Sequence, residues 1–453
     1  MPTKPEATGT AAVDDGAAGE VLVDVRDLHV HFALRGGWFD RFTGRDRGSV
    51  RAIDGVSFRL RRGEVLGIVG ESGSGKTTLG RALLGLVAPT GGSIRYEGRE
   101  LVGLSERRLR PLRRELQMVF QDPHASLNPA MDIERAVGHP LRIHGLADGE
   151  AARREQVAAA LERVGLAPVD QYLGKFPGDL SGGQKQRAVL ARATILDPKL
   201  IIADEPVSML DMSVRAKILE LMLDLKLQLG LTYVYITHDL GTAKFFCDRV
   251  AIMYLGRIVE IGPTEEIFSD PKHPYTRSLL AAVPEPDPRK SLPRDVPRGE
   301  VPDASVRPSG CSFHPRCPAA FEVCGWEGRD LRALLEQRWT ELPEDEFLAE
   351  TSTLGDLAGL DGQTGGVAVP AGGGKTPEDV AALLTKVRES DPAEPLWRGV
   401  RAVRADGTGQ AVTEFFDGVD PGLVPAGGVE VACHLHDPEM TGKARRLAAE
   451  REG

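Results

Sequence analysis

Long apolar runs and an excess of positive charge are both missing from this sequence of 453 residues. No stretch of about eighteen consecutive apolar residues occurs, so we expect no membrane-spanning helix, and the first residues lack the apolar centre of a signal peptide. The 66 acidic residues outnumber the 56 basic ones, and the net charge of −10 argues against a dedicated nucleic-acid binder. We therefore expect a protein that is made and kept in the cytosol and has no nucleic-acid partner.

Large apolar side chains are scarce in residues 1–19, which are mostly Ala, Gly, Thr and Asp. So little apolar surface cannot offset the entropy that the chain would lose on folding. We predict a disordered tail at 1–19, and the length of the remaining chain allows two or three domains.

The strongest motif is a glycine-rich stretch at 70–78, which reads GESGSGKTT. The apolar run at 65–69 predicts a buried parallel strand before it, and 78–84 predicts a helix after it. Glycines let successive backbone N–H groups face a polyphosphate, and the positive end of the helix favours the same anion. Lys76 can reach the outer phosphates and the Thr77 hydroxyl can ligate Mg²⁺. We predict a phosphate-binding loop whose nucleotide contacts are Gly70, Ser72, Gly73, Ser74, Gly75, Lys76, Thr77 and Thr78.

Apolar and polar residues roughly alternate at 21–32 and again at 52–60, which predicts two strands with one solvated face each. Phe32 lies at the end of the first of these strands. Its ring could stack on an adenine base, or it could be an ordinary core residue.

A helical pattern predominates from 101 to 175, and we predict a helical subdomain at about 101–178. Five arginines between 107 and 114 fit a solvated face better than a partner site. Within the same region, the apolar strand 118–120 ends in Gln121, which by itself is a weak signal because most such amides only satisfy nearby backbone groups.

Polar groups lie at three further segment boundaries: the start of one helix and the ends of two strands. Ser181 predicts a helix N-cap, and the glycines after it leave the first N–H groups of that helix open to an anion. The apolar strand 200–203 ends in Asp204 and Glu205, at the strand edge where parallel sheets bind ligands. Carboxylates at that edge can hold Mg²⁺ and polarise water. A later strand, at 232–236, ends in a Thr-His-Asp sequence.

In this order the motifs resemble those of the nucleotide-binding subunits of ATP-binding-cassette transporters, over about residues 20–285. The resemblance implies an α/β P-loop NTPase cassette, with a mixed sheet, an N-terminal antiparallel part and a helical subdomain. It implies that Asp204 holds Mg²⁺ through water, that Glu205 is the general base for the attacking water, and that His238 contacts the γ-phosphate. Gln121 would sense Mg²⁺ and face the membrane partner.

The resemblance also implies that two subunits enclose two ATP molecules head to tail, so that Ser181 and Gly183 reach the nucleotide of the other subunit. The Leu-Asp loop at 210–211 belongs to the same pattern, although Met209 stands where the family usually has a small residue. The implied catalytic residues are Glu205, His238 and Gln121. The implied Mg²⁺ contacts are Thr77, Gln121 and Asp204. The remaining implied nucleotide contacts are Gln121, Ser181, Gly182, Gly183, Asp204, Asp211 and His238.

Three stretches narrow the resemblance to the ATPases of oligopeptide and dipeptide importers: FQDPHASLNP at 120–129, HPYT at 273–276, and GCSFHPRCP at 310–318. This resemblance implies a C-terminal extension at 286–453, in which 328–428 forms an insert that matches nothing familiar. It implies a second, related but non-identical ATPase subunit, two membrane permeases, a solute-binding protein outside the cytoplasm, and a peripheral position on the cytoplasmic face of the membrane. Nickel, glutathione or another small solute is an alternative cargo. A soluble cassette ATPase of repair or translation is the alternative class, which the single cassette and the negative charge disfavour.

Five cysteines separate into one and four. Cys247 follows two phenylalanines in a predicted helix, which favours an inert buried thiol. Cys311, Cys317, Cys324 and Cys433 are spaced unlike the close pairs of zinc knuckles, and a reducing cytosol disfavours disulfides, so we expect a metal. By resemblance, the family's extension can carry a 4Fe–4S cluster on such cysteines. We expect this cluster to be structural rather than catalytic, because the proline-rich segment 311–324 has little apolar content with which to fold. Zinc is the rival, with His314, His434 or His436 as further ligands, and a site without metal is the third possibility.

The insert at 328–428 mixes two plausible helices with stretches of low complexity. Residues 376–379 have the form of a capping box, which predicts a helix over 380–387. Residues 372–376 mimic a phosphate loop, but they lack the preceding strand and the first glycine, so we interpret them as a linker. We expect the insert to be a looped-out excursion, and the phosphate loop to lie in another domain from the cysteines.

Overall fold

The computed structural model describes residues 19–33, 49–282, 299, 301–303, 306–405 and 410–452. The predicted tail lies outside these residues except for Gly19. The strands are β1 Val21–Ala33, β2 Ser49–Arg61, β3 Val65–Val69, β4 Gly91–Tyr96, β5 Arg99–Glu100, β6 Leu116–Val119, β7 Leu200–Asp204, β8 Thr232–Thr237, β9 Arg249–Tyr254, β10 Arg257–Pro263, β11 Gly366–Val369, β12 Val400–Ala405, β13 Ala411–Phe415, β14 Val424–Ala426 and β15 Val429–Val431. The α-helices are α1 Lys76–Leu83, α2 Glu106–Leu112, α3 Pro123–Ser126, α4 Ile133–His144, α5 Glu150–Arg163, α6 Asp170–Leu173, α7 Gly182–Thr194, α8 Met212–Leu229, α9 Leu240–Phe246, α10 Thr264–Ser269, α11 Pro274–Ala281, α12 Gly328–Glu341, α13 Glu344–Thr353, α14 Pro377–Ser390, α15 Leu396–Gly399 and α16 Pro438–Glu452.

The central sheet has the strand order β14-β15-β10-β9-β3-β8-β7-β6. Strands β3, β6, β7, β8 and β9 are parallel to one another, and every residue of β3, β7 and β8 is buried. Continuous burial is expected for parallel strands that are covered on both faces, which is why these strands read as unbroken apolar runs. Their carboxyl ends meet at one edge of the sheet.

A smaller antiparallel sheet, in the order β2-β1-β4-β5, covers one face of the central sheet. The two predicted N-terminal strands are thus confirmed as β1 and β2, which pair with Phe32 opposite Val50. Because side chains of a strand alternate between faces, Leu66 and Ile68 pack toward this sheet, whereas Val65 and Val69 pack toward the helices on the other face.

Helices dominate the segment between β5 and β7, as the sequence indicates. In α5, Val157 and Leu161 are fully buried, and the helix stops before Gly165, whose φ of 72° is left-handed. Strand β6 passes through this segment and delivers Gln121 to the carboxyl edge of the central sheet.

The insert packs against the main core, contrary to the expectation of a looped-out excursion. Residues 328–428 contain α12 to α15 and a three-stranded sheet, in the order β11-β13-β12. Buried residues of α12 and α14, such as Leu331 and Leu384, are continuous with the main core. The capping box before α14 is confirmed, because the Thr376 hydroxyl accepts from the Asp379 N–H at 3.3 Å. The expectation was wrong because the apolar residues of the insert reach their partners only in the folded chain.

After the insert, the chain returns to the central sheet. Strand β15 pairs antiparallel with β10, which places Val431 opposite Glu260. The segment that contains Cys433 is therefore attached to the same sheet that supports the phosphate loop.

His273 caps α11 from a fully buried position. Its ring Nδ1 accepts from the backbone N–H of Tyr275 at 3.0 Å. The backbone N–H of His273 donates to Glu260 Oε2 at 3.0 Å. Burial lowers the pKa of His273 to about 3, with smaller contributions from His436 and Arg277. The ring is therefore neutral and acts as an acceptor near neutral pH.

Replacing His273 with Asn is expected to weaken the acid sensitivity of folding. The folded pKa lies below the value of about 6.5 in the unfolded chain, so this stabilisation is complete above that pH and is lost as pH falls toward 3. Between about pH 7 and 5.5, the native chain should lose about 1 kcal/mol more stability than His273→Asn, whose amide oxygen preserves the cap. Urea unfolding at the two pH values measures the difference, and equal losses would contradict it.

Candidate nucleotide-binding site

The glycine-rich loop joins the end of β3 to the start of α1, in the strand–loop–helix context that the motif requires. Helix α1 begins at Lys76, two residues earlier than predicted, after the N-cap Gly75. Gly75 has a φ of 99°, and a Cβ on it would lie 2.1 Å from the Ala52 carbonyl oxygen of β2. Only glycine fits there, so β2 fixes the path of the loop.

Lys76 lies inside the curve of the loop and is only 6% exposed. Its Nζ donates to the carbonyl oxygens of Gly70 at 2.8 Å and Glu71 at 2.7 Å, and to Ser74 Oγ at 3.3 Å. Burial lowers the pKa of Lys76, and the negative charges of Glu205, Asp204 and Glu71 partly oppose this shift. The loop thus concentrates one positive charge within a ring of polar backbone.

Thr77 and Asp204 meet beside this lysine. The Thr77 hydroxyl donates to Asp204 Oδ1 at 3.0 Å, at the carboxyl end of β7. Burial raises the pKa of Asp204, and the charge of Glu205 adds to the shift, whereas the bond from Thr77 opposes it. A hydroxyl and a carboxylate at this position are the hard oxygen ligands that Mg²⁺ prefers.

Glu205, which follows β7, contacts residues that follow the neighbouring strands β6 and β8. Its Oε2 accepts from Gln121 Nε2 at 2.9 Å after β6, and its Oε1 lies 3.0 Å from His238 Nδ1 after β8. The backbone of Glu205 has a φ of 47°, a left-handed conformation that costs a non-glycine residue roughly 1 to 3 kcal/mol. Such strain is typical of functional sites, and here it is held by the Glu205 N–H, which donates to the Ile236 carbonyl at 2.9 Å.

Two family models and several known proteins match this chain. The family model described as ABC transporter matches residues 53–208, and the model described as oligopeptide/dipeptide transporter, C-terminal region, matches residues 259–324. A putative peptide import ATP-binding protein of Brucella ovis is 44% identical over 311 residues, covering 69% of this chain and 94% of that protein. The oligopeptide transport ATP-binding protein AppF of Bacillus subtilis is 45% identical over 308 residues, covering 67% of this chain and 92% of AppF. The OppF protein of Escherichia coli is 44% identical over 317 residues, covering 69% of this chain and 92% of OppF.

This chain is an ABC transporter ATPase of the oligopeptide/dipeptide family. The predicted P-loop cassette is thereby confirmed, together with ATP and Mg²⁺ binding and ATP hydrolysis coupled to transport. Within the part of the cassette protein that the structure describes, no helix has both the length and the hydrophobicity of a membrane span.

Residues 181–183, called the signature segment below, form the start of α7. Ser181 forms a capping box with Gln184, in which the Ser181 hydroxyl accepts from the Gln184 N–H at 3.3 Å. Ser181 and Gly182 are exposed. Ideal Cβ positions on Gly182 and Gly183 would meet Leu210 and Val214 of the same chain. The structure therefore keeps the signature next to the loop around Asp211 and leaves its capping serine open to solvent.

Asp211 caps α8, where its Oδ1 accepts from the Val214 N–H at 2.9 Å. The cap forms with Met209 in place, because the Met209 side chain is 64% exposed and does not compete for space. Met212 is 83% exposed on the same surface. Phe32, the candidate for stacking on adenine, is 46% exposed near the end of β1, next to the sheet that supports the phosphate loop.

The structure brings together the four cysteines of the extension. Cys311, Cys317, Cys324 and Cys433 are buried free thiols, and each of them interacts electrostatically with the other three. Burial raises the pKa of Cys317 and of Cys433 to about 12, and the neighbouring sulfurs add to both shifts. Cys247 follows α9 rather than lying within it, and burial raises the pKa of this separate thiol too.

The spacing of these sulfurs can be compared with the spacing that a single zinc ion requires. A tetrahedral zinc with bonds of about 2.3 Å would bring its sulfurs to about 3.8 Å from one another. Among the described residues, however, the only three potential ligand atoms within 4.8 Å of one another belong to His29, His31 and Asp54. The four thiols are therefore more widely spaced than a single zinc requires, whereas four cysteines are the donor set of a larger iron–sulfur cluster.

The histidines proposed as further zinc ligands are bonded elsewhere. Both ring nitrogens of His314 are engaged, one with the Cys311 carbonyl at 2.8 Å and one with Asp330 at 3.0 Å. Nε2 of His434 lies 2.8 Å from the Val419 carbonyl, and Nε2 of His436 lies 3.1 Å from the Lys272 carbonyl. His314 is thus excluded as a zinc ligand in this arrangement.

The sequence placed the phosphate loop and the cysteines in separate domains, and the structure shows that the loop and the cysteine segment are in direct contact. Arg316, which precedes Cys317, pairs with Glu71 of the loop at 3.0 Å, and the Tyr275 hydroxyl accepts from the Glu71 N–H at 3.0 Å. Both residues lie in stretches that carry the family resemblance. Their role was missed because nothing in a local pattern shows a contact across 245 positions of the chain.

Proposed function

We propose that this chain is one of two related, non-identical ATPase subunits of an importer of oligopeptides or dipeptides, at the cytoplasmic face of the membrane. The observation that carries the proposal is the meeting of Gln121, Glu205 and His238 beside the phosphate loop. The peptide substrate is supported by the names of relatives that share 44 to 45% identity over two thirds of the chain.

The residues at this edge have distinct proposed roles. The loop at 70–78 and Lys76 bind the phosphates, while Thr77 and Asp204 would hold Mg²⁺, which would offset phosphate charge. Glu205 accepts the proton of the attacking water as the water oxygen bonds to the γ-phosphorus, while the bond from that phosphorus to the bridging oxygen breaks and ADP leaves with the electron pair. Gln121 and His238 orient the Glu205 carboxylate and the γ-phosphate. Phe32 stacks on the adenine ring.

The second ATPase completes the site. Because Ser181 and Gly182 are exposed at the start of α7, we assign them, with Gly183, to the γ-phosphate held by the other subunit. The exposed Met209 and Met212 beside Asp211 belong to the same contact surface.

A groove of about 180 Å³ offers the permeases a docking surface. It is lined by Leu86, Gln117, Phe120, Pro140 and Val189, among others. Because Gln121 follows Phe120 directly, a permease that contacts this groove also contacts the segment that positions Glu205. The solute-binding protein acts through the permeases.

The extension holds a 4Fe–4S cluster on Cys311, Cys317, Cys324 and Cys433. The support is four buried thiols that all interact, with a spacing too wide for one zinc. When bound, the cluster supplies a covalent cross-link between the segment 311–324 and the returning chain at 433.

Uptake by the assembled transporter tests the substrate. Proteoliposomes that contain this chain, its partner ATPase, the permeases and the binding protein should accumulate a labelled oligopeptide with ATP on the side of this subunit, and Lys76→Ala should abolish uptake. Unlabelled dipeptide or oligopeptide should compete. Competition by glutathione or Ni²⁺ alone would overturn the peptide assignment.

The subunit composition is tested separately. Because Ser181 is assigned to another subunit's nucleotide, the purified chain alone should hydrolyse ATP poorly. Native mass measurement of the transporter should find one copy of this chain and one of a different ATPase. Two copies of this chain with no other ATPase would contradict the heterodimer.

A further inference from the structure

The phosphate loop is held from outside at Glu71, by the segment that carries the cysteines. The Glu71 N–H donates to Tyr275 Oη at 3.0 Å. Two N–H groups of Arg316 donate to the two Glu71 carboxylate oxygens, at 3.0 and 3.4 Å. A bidentate arginine–carboxylate pair fixes orientation as well as distance, so both the backbone and the side chain of Glu71 are constrained.

Arg316 is itself fixed by packing and is only 8% exposed. Its guanidinium lies 5.9 Å from the centre of the Tyr254 ring and 5.8 Å from that of Phe313. Tyr254, Tyr275 and Phe313 pack against one another, with ring centres 4.7 to 5.3 Å apart. Such a pair differs from a mobile surface salt bridge, because little side-chain entropy remains to be lost when it forms.

The charge of Glu71 explains why the pairing matters. Glu71 is a carboxylate within the loop assigned to a polyanion, and its carbonyl oxygen accepts from Lys76 Nζ at 2.7 Å. An unpaired carboxylate here would repel the phosphates and attract Lys76 away from them. Arg316 neutralises this charge and holds it in one orientation.

We propose that Arg316 is a positioning residue of the phosphate loop, through which the folding of the segment 311–317 sets the affinity for nucleotide. This inference rests on the proposed role of the loop at 70–78. Because coupling between two sites is reciprocal, bound nucleotide must also stabilise the segment 311–317.

Nucleotide binding to the purified full chain provides the test, with a fluorescent ATP analogue and Mg²⁺. Arg316→Ala should raise the Kd on the order of tenfold, within the usual range of such couplings. The double variant Arg316→Ala with Glu71→Gln should recover most of the lost nucleotide affinity, because the uncompensated carboxylate is gone. Arg316→Lys should fall between, since it keeps the charge without the bidentate geometry.

Arg332→Ala is the matched control. Arg332 lies in α12 of the same extension and pairs with Glu336 at 2.7 Å and Asp361 at 2.9 Å, away from the loop. Its removal should leave the Kd unchanged. An unchanged Kd for Arg316→Ala would overturn the inference. A raised Kd that the addition of Glu71→Gln does not lower again would also overturn it.

Hydrogen exchange gives the reciprocal readout. Saturating nucleotide should slow amide exchange at 311–317 in the native chain but not in Arg316→Ala, and equal slowing in both would overturn the coupling. Lys76→Ala separates the two proposals: if it binds nucleotide normally, the role of the loop itself fails, whereas if it alone loses binding, only the role of Arg316 fails.

Discussion

Glu205→Gln is expected to bind Mg²⁺ and ATP normally and to lose about 10² to 10⁴ in the turnover of the assembled transporter, the usual range for general-base catalysis. Glutamine has the size of glutamate, so its amide oxygen can still accept from Gln121 Nε2, now 2.9 Å from Glu205 Oε2. It cannot accept the proton of the attacking water. Position 205 keeps the same strained backbone, at φ 47°, with either glutamate or glutamine. This strain therefore does not contribute to the difference in turnover.

The measurement compares ATP turnover with nucleotide Kd for the same preparations. Glu220→Gln serves as the control, because Glu220 is an exposed residue of α8 outside the site and its loss should change neither quantity. Native turnover in Glu205→Gln would remove Glu205 from the role of base. A raised Kd with native turnover per bound nucleotide would assign it to binding instead.

Cys433→Ser is expected to remove the whole iron–sulfur cluster that we propose for the extension. Protein purified without oxygen should be brown and should hold about four irons per chain, and the variant should be colourless. Because the proposed cluster would cross-link Cys433, which follows β15, to the buried thiols of 311–324, the variant should also unfold at a lower temperature. Iron analysis, visible absorption and thermal unfolding measure the three effects.

Cys247→Ser is the matched control for this experiment. Cys247 is a buried free thiol like the others, but its electrostatic partners are Asp248 and Lys226 rather than the four cysteines. Its replacement should leave colour and iron unchanged. A colourless native protein with one zinc per chain would refute the cluster.

Much of the fold followed from local sequence patterns. Strands β3, β7 and β8 are continuous apolar runs because both faces of the sheet are covered, and their polar ends identified Asp204 and His238 in advance. Helix α14 was predicted from a capping box whose two bonds join residues three positions apart. In each case the residues that form the structure are neighbours in the sequence.

Other features depended on contacts between distant residues. The insert was expected to be a looped-out excursion with two plausible helices, yet Leu331, Leu384 and Val367 are buried in the same core cluster as the cassette. Strand β15 pairs with β10 through only two residues of each strand, and no sequence pattern identifies so short a pairing.

Residue type and local spacing specify the phosphate loop, the carboxylates at the strand ends and the four cysteines. The connections between these parts come from the packing of the folded chain. The pairing of Arg316 with Glu71 joins the cysteine segment to the loop, and Gln121 and His238 converge on Glu205 from separate strands. The physical reason is that hydrogen bonds and burial act over a few ångströms in space, and distance in space between such residues is set by the packing of the whole chain.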